Sequence, residues 1–318
     1  MSASAALEAV AAALGPRASR DAPLGARTTY RVGGTAAVMV SVERERDLVA
    51  VHRALAGAGG TVPVLVLGNG SNLLVADAGF DGLVVVPGGA LAEVAITGTT
   101  VRAGGAASLP LVARRSAAAG LTGLEWAVGV PGTVGGALKM NAGGHGSDTA
   151  TVLVRQRIFD LWSGAAEEGD PGRLALGYRR SCLGAGEVVL WAEFALGRGS
   201  RAVAEAAVAE IVRWRRAHQP GGPNAGSVFT NPEGDAAGRL VEAAGCKGLR
   251  RGSARVSEKH ANFIQADHGG SADDVRRLID HVRRTVLERQ GVALVPEVLM
   301  VGFGDGPSTS CRRSGSSE

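Results

Sequence analysis

Two glycine-rich loops constrain this chain more than any other feature. The first, "GNGSNLLV" at residues 68–75, follows the apolar run "VPVLVL". A dinucleotide turn of the Rossmann kind needs Gly-x-Gly-x-x-Gly between a strand and a helix, so that the helix N-terminus faces the pyrophosphate. Position 73, where the third glycine belongs, is Leu73, and the sequence runs on through "SNLLVADAGFDGLVVV" into a turn and another strand. On such a strand, loop, strand path an anion is held by successive backbone N–H groups, helped by the side chains of Asn69, Ser71 and Asn72. Taken alone, the stretch also reads as a plain tight turn.

The second loop, "GVPGTVGGALKMNAGGHG" at residues 129–146, places seven glycines among small residues. Two backbone cradles far apart in sequence can embrace one long ligand from two sides, which suits an extended diphosphate cofactor better than a single small anion. Turn-rich β-structure without a ligand is the alternative. The 48 glycines of this 318-residue chain are clustered and not periodic, as tight turns and close backbone approach require.

Between residues 28 and 197 short β-branched runs broken by glycine predict strands, interrupted by helices over residues 44–56 and 110–119. That is an α+β arrangement and not a regular βαβ alternation. "MSASAALEAVAAAL" predicts a short amphipathic N-terminal helix within residues 1–21. The pattern changes near residue 200, where "SRAVAEAAVAEIVRWRRAHQP" predicts a long helix stopped by Pro220. A second domain is expected over residues 199–303, after a first over residues 22–198. Its clearest element is "SADDVRRLIDHVRRTVLERQG", with Val275, Leu278, Ile279, Val282 and Val286 on one stripe, Ser271 as N-cap and Gly291 at C′. "VALVPEVLMVG" predicts a buried strand carrying one carboxylate, Glu297, and the polar segment 304–318 is expected to be disordered.

The formal charge of +4 is small for this length and argues against a nucleic-acid binder. No uncharged apolar run approaches the about 18 residues of a membrane span, and the N-terminus lacks the basic segment of a signal peptide. A soluble, cytoplasmic monomer is expected. The three cysteines and six histidines show no metal-ligand spacing, so no metal is expected.

Three polar residues stand out. Ser227 lies in "NAGSVFTNP", flanked by glycine, and is not the Gly-x-Ser-x-Gly elbow of a hydrolase. Glu297 is an acid candidate if burial raises its pKa, and an exposed edge glutamate otherwise. Arg179 in "LGYRRSC" carries the planar fork that clamps carboxylates or phosphates; a surface arginine is the other reading.

Together the blocks "TTYRVGGTA", "LGNGSNLLV", "GLTGLEWAVGVPGTVGGALKMNAGGHG", "GYRRS", "NAGSVFTNP", "GRLVEAAGCKG", "VSEKHANFI" and "PEVLMVG" resemble the UDP-N-acetylenolpyruvoylglucosamine reductases of peptidoglycan synthesis. The likeness covers about residues 24 to 302 and looks like the shorter subclass without a tyrosine-bearing lid. It implies a two-lobed FAD domain of the vanillyl-alcohol-oxidase type, with lobes near residues 22–80 and 81–198, plus a smaller α+β substrate domain. It also implies non-covalent FAD, NADPH as hydride donor and an enolpyruvyl sugar nucleotide as substrate.

By the same resemblance Ser227 matches the proton donor to C2, and Arg179 and Glu297 match the pair that polarises the substrate carboxylate and stabilises the enolate. The FAD-contacting positions are Arg31, Gly33, Gly68, Asn69, Gly70, Ser71, Asn72, Pro131, Gly132, Thr133, Gly135, Gly136, Asn141, Ala142 and Gly143. Tyr178, Asn224 and Lys259 match substrate-binding positions. One departure is His218 in "AHQP", where many members have lysine; Lys259, or Arg215 and Arg216, then takes over phosphate contact. Another flavin oxidase and a non-catalytic nucleotide-sugar binder are the competing readings.

Overall fold

A computed structural model describes residues 2–304, so the 304–318 tail lies outside the described residues except for Gly304. The N-terminal helix is Ala3–Leu14. Residues 18–21, expected to belong to that helical segment, instead open the strand Ala18–Pro23. This strand edges a four-stranded sheet in the order Ala18–Pro23, Thr35–Val42, Phe80–Pro87, Val64–Val66, antiparallel in the first pair and parallel in the others. The helix Glu45–Ala56 buries Leu48, Val51 and Leu55, and its start is fixed by Asp47, whose carboxylate accepts from the backbone N–H of Glu43 and Arg44.

The second lobe is a five-stranded antiparallel sheet in the order Ala166–Gly169, Leu153–Asp160, Glu187–Ala195, Thr100–Gly104, Val94–Thr97. One hydrophobic core joins the lobes, with Val38, Leu48 and Leu83 from the first packed with Phe159, Leu161 and Leu190 from the second. The long helix Arg201–His218 buries Ala204 and Val208 in the core of the second lobe, beside Val112 and Ala113 of the helix Leu109–Ala118. By packing it therefore belongs to the second lobe, although the composition change at residue 200 placed it in the following domain. Periodicity marks the element; only its buried stripe says which core receives it.

The third unit holds a small antiparallel sheet of Arg250–Arg251, Ala254–Val256 and Ile264–Ala266, covered by the helices Ala237–Ala243 and Ala272–Gln290. All five stripe residues of the latter helix are buried, Ser271 Oγ accepts from Asp274 N at 3.2 Å, and Gly291 closes it in the left-handed region. Asp77, from the first lobe, accepts the Ala272 N–H at 2.8 Å and the Ser271 hydroxyl, tying that lobe to the helix start.

The chain then returns. Leu299–Val301 pairs in parallel with Leu73–Val75, directly after the first glycine loop. The expected long strand through Glu297 is thus confined to Leu299–Val301, and Glu297 lies in the extended lead-in before it. Among the described residues no helix is long and apolar enough to cross a membrane.

Candidate active site

The first glycine loop runs strand, loop, strand as its missing third glycine requires, from Val64–Val66 to Leu73–Val75. Gly70 has φ 58°, and a Cβ there would stand 2.7 Å from the Arg27 carbonyl oxygen, so only glycine fits without strain. The second loop approaches from the other lobe. Asn69 Nδ2 donates to the Pro131 carbonyl at 3.1 Å, and a Cβ on Gly68 would stand 2.6 Å from Thr133 Oγ1.

Part of that second loop differs from a pure backbone cradle. Residues Val134–Met140 form a helix, with Thr133 Oγ1 accepting from Gly136 N at 3.2 Å as its N-cap. Gly135 N donates to the Gly105 carbonyl at 2.7 Å. The periodicity signal of so short and glycine-rich a helix is weak, and its cap is what reveals it.

Between the loops opens a cavity of about 780 Å³. Among the described residues the N–H groups of Gly68, Asn69, Gly70, Ser71, Asn72, Gly132 and Thr133 donate to no protein acceptor. Seven backbone donors left open along one cavity suit an extended diphosphate, which offers acceptors along its length. The residues present therefore fit the diphosphate of FAD.

The same cavity is walled further along by Ser227, Arg179 and Glu297. Arg179 sits at the tip of a turn closed by two bonds of 3.1 Å between Gly177 and Arg180, with φ 55°, and its Nη2 donates to the Gly143 carbonyl at 3.1 Å. Its Nε lies 3.0 Å from Glu297 Oε1 without pointing its N–H at that oxygen, so charge rather than an aligned hydrogen bond holds the pair. Burial pushes the Glu297 carboxyl above the ordinary carboxylate range, and the Arg179 charge only partly opposes this. In its protonated form, a carboxyl beside a fixed guanidinium can donate a hydrogen bond to developing negative charge.

Of the other expected positions, Gly68, Asn69, Gly70, Ser71, Asn72, Pro131, Gly132, Thr133, Gly136, Ala142, Gly143, Asn224 and Lys259 line this cavity. Gly33, Gly135, Asn141, Arg31 and Tyr178 do not. Gly33 packs against the Val75 carbonyl, where a Cβ would stand 2.2 Å away. Asn141 is buried, with its amide donating to Asp148 Oδ2 and the Gly177 carbonyl and accepting from Ala150 N, so it braces the turn that carries Arg179. Arg31 is exposed and lines a second cavity of about 550 Å³ with Arg27 and His268. Tyr178 is exposed, its ring 5.2 Å from the Arg179 guanidinium carbon.

His218 stacks on Trp214 with its Nδ1 2.8 Å from the Trp214 carbonyl oxygen, whereas its neighbours Arg215 and Arg216 line the cavity. Among the described residues Arg215 has no carboxylate partner, and burial pulls its guanidinium down from its usual value. A desolvated, unpaired cation facing a cavity favours an anionic ligand. Asn262, quoted above only inside "VSEKHANFI", carries much of the local scaffolding. Its Nδ2 donates to the Phe229 carbonyl at 2.8 Å and its Oδ1 accepts from Phe229 N at 3.0 Å. A lone asparagine two residues after His260 in a loop offers no sequence signal for that role.

The paired lobes, the small third unit and the cradle between the glycine loops define a flavoprotein with a two-lobed FAD domain and a smaller domain attached. A family described as an FAD binding domain matches residues 36–165. The C-terminal domain family of UDP-N-acetylenolpyruvoylglucosamine reductase matches residues 218–301. The chain is 46% identical over 289 residues to UDP-N-acetylenolpyruvoylglucosamine reductase 2 of Symbiobacterium thermophilum, covering 90% of this chain and 92% of that one. It is 43% identical to the enzyme of that name from Rubrobacter xylanophilus, over 90% and 96% of the two chains. The crystal structure of UDP-N-acetylenolpyruvylglucosamine reductase from Thermus caldophilus superposes with a TM-score of 0.77 at 36% identity, covering 89% of this chain and 98% of that one. The chain belongs to the UDP-N-acetylenolpyruvoylglucosamine reductase family, whose members are FAD-dependent oxidoreductases of peptidoglycan precursor synthesis.

Proposed function

We propose that this protein reduces UDP-N-acetylglucosamine enolpyruvate to UDP-N-acetylmuramate, with NADPH as the source of electrons. The observation that carries the reading is that one cavity brings the flavin cradle together with Ser227, Arg179 and Glu297. Bound between the two glycine loops, FAD reduced by NADPH would supply the hydride that C3 of the enol ether receives. Such a bond accepts hydride poorly until charge on its carboxylate side is stabilised. Arg179 orients that carboxylate through its fork, and neutral Glu297 donates a hydrogen bond to the enolate-like oxygen. The Ser227 hydroxyl then delivers a proton to C2, giving the lactyl ether. Lys259, Arg215 and Asn224 line the same cavity and hold the substrate diphosphate.

An absorbance experiment tests the whole reading. Anaerobic NADPH is expected to bleach the yellow holoprotein, and the enolpyruvyl sugar nucleotide to restore the colour. Bleaching without recolouring would overturn the substrate assignment and leave a flavin dehydrogenase of another kind.

A further inference from the structure

Ser227 and Glu297 lie on segments far apart in sequence, yet the two segments are hydrogen-bonded to each other. Glu297 N donates to the Val228 carbonyl at 2.7 Å, Thr230 N donates to the Val295 carbonyl at 3.0 Å, and Phe229 bridges Pro296 in antiparallel fashion. The chain just after Ser227 thus behaves as a short strand with residues 295–297 along one edge. Among the described residues no strand lies along its other edge.

Asn262 occupies that edge. Its carbonyl accepts from Val228 N at 2.8 Å, and its side-chain amide both donates to the Phe229 carbonyl and accepts from Phe229 N. Phe229 is 1% exposed and Asn262 is 3% exposed, so water does not compete for these groups. Asn262 is itself held by its N–H donating to His260 Nδ1 at 3.2 Å. One side chain therefore takes the place of a strand neighbour for the segment that carries Ser227 and anchors Glu297.

We infer that Asn262 is a positioning residue that fixes Ser227 and Glu297 relative to each other; the inference rests on the proposed function. Catalysis that needs a proton donor at C2 and a hydrogen-bond donor at the adjoining carboxylate depends on their separation, and a displacement of about 1 Å costs on the order of 10²-fold in rate. Asn262 does not line the cavity, so its effect falls on the step that uses both residues.

Two variants of the FAD-loaded protein test this, Asn262→Leu and Asn262→Asp, followed in both half-reactions by stopped-flow absorbance. With Asn262→Leu, bleaching by NADPH is expected to stay near the native rate, while recolouring by the enolpyruvyl sugar nucleotide slows on the order of 10²-fold. Amide hydrogen exchange at Val228, Phe229 and Glu297 is expected to accelerate without change in the helix Ala272–Gln290. The Asn262→Asp variant guards against a leucine variant that does not fold. Its carboxyl, when protonated, can donate to the Phe229 carbonyl and accept from Phe229 N, and burial raises its pKa. Recolouring by this variant should be near native at low pH and fall as pH rises through that raised pKa, a second limb in addition to the one that Glu297 gives the native protein. Equal slowing of both half-reactions, or recolouring at the native rate in both variants, would sink the inference. Native protein that does not recolour sinks the proposed function first, and the inference with it.

Discussion

Arg179 Nε stands 3.0 Å from Glu297 Oε1, yet the Glu297 carboxyl is pushed above its ordinary range, because burial outweighs the neighbouring guanidinium. The neutral form donates a hydrogen bond, so turnover should fall as pH climbs through the raised pKa of Glu297. The stability contribution runs the same way. It is full below the ordinary glutamate value and fades as pH rises through the folded one. Glu297→Gln should lower recolouring by about 10²- to 10⁴-fold and remove that alkaline limb from the remaining activity. A limb of unchanged position in the variant would assign it to another group.

Ser227→Ala should leave the bleaching step with NADPH nearly intact and slow recolouring by about 10²- to 10⁴-fold, the range for loss of a general acid. Single-turnover absorbance separates the two steps. Comparable loss in both would make the serine's role structural.

Gly70→Ala places a methyl 2.7 Å from the Arg27 carbonyl at a residue with φ 58°. Backbone cannot yield there as a flexible side chain can, and the strain is expected to cost about 1–3 kcal/mol. Urea unfolding and the flavin content of the purified protein check this; a variant with native midpoint and full flavin would show that the loop tolerates a Cβ.

Tyr30 is fully buried in the core of the third unit, and among the described residues its hydroxyl has no hydrogen-bond partner. Burial pushes that hydroxyl's pKa well above its ordinary value. Removing an unsatisfied buried polar atom relieves its desolvation, so Tyr30→Phe should stabilise the fold by about 1 kcal/mol. A lower unfolding midpoint would mean that the hydroxyl finds a partner in solution.

How much of this was legible beforehand differs between residues for physical reasons. The helix Ala272–Gln290, with Ser271 before it and Gly291 after it, follows from a period and two caps, all local in sequence. The loop at residues 68–72 was legible through an absence, since Leu73 in place of a third glycine excluded a helix there. The short helix Val134–Met140 was missed because its glycines speak against helix, while its cap at Thr133 and the contact of Gly135 with Gly105 favour it. Asn141 is a cofactor contact by the family resemblance alone, and it does not line the cavity. Its three side-chain bonds are to Asp148, Gly177 and Ala150.

By itself the sequence determined the α+β class, most elements, the two facing loops and, through ordered motifs, the reductase family. Those are short-range properties: hydrophobic period, turn chemistry and residue order. Only the tertiary structure decided that the helix Arg201–His218 serves the second lobe and that the last strand returns to Leu73–Val75. It alone decided that Glu297 is buried against Arg179, and that Asn262 stands where a strand would. These depend on which distant segments share a core and a hydrogen-bonding edge, a choice made by packing across the whole chain and written in no single stretch of it.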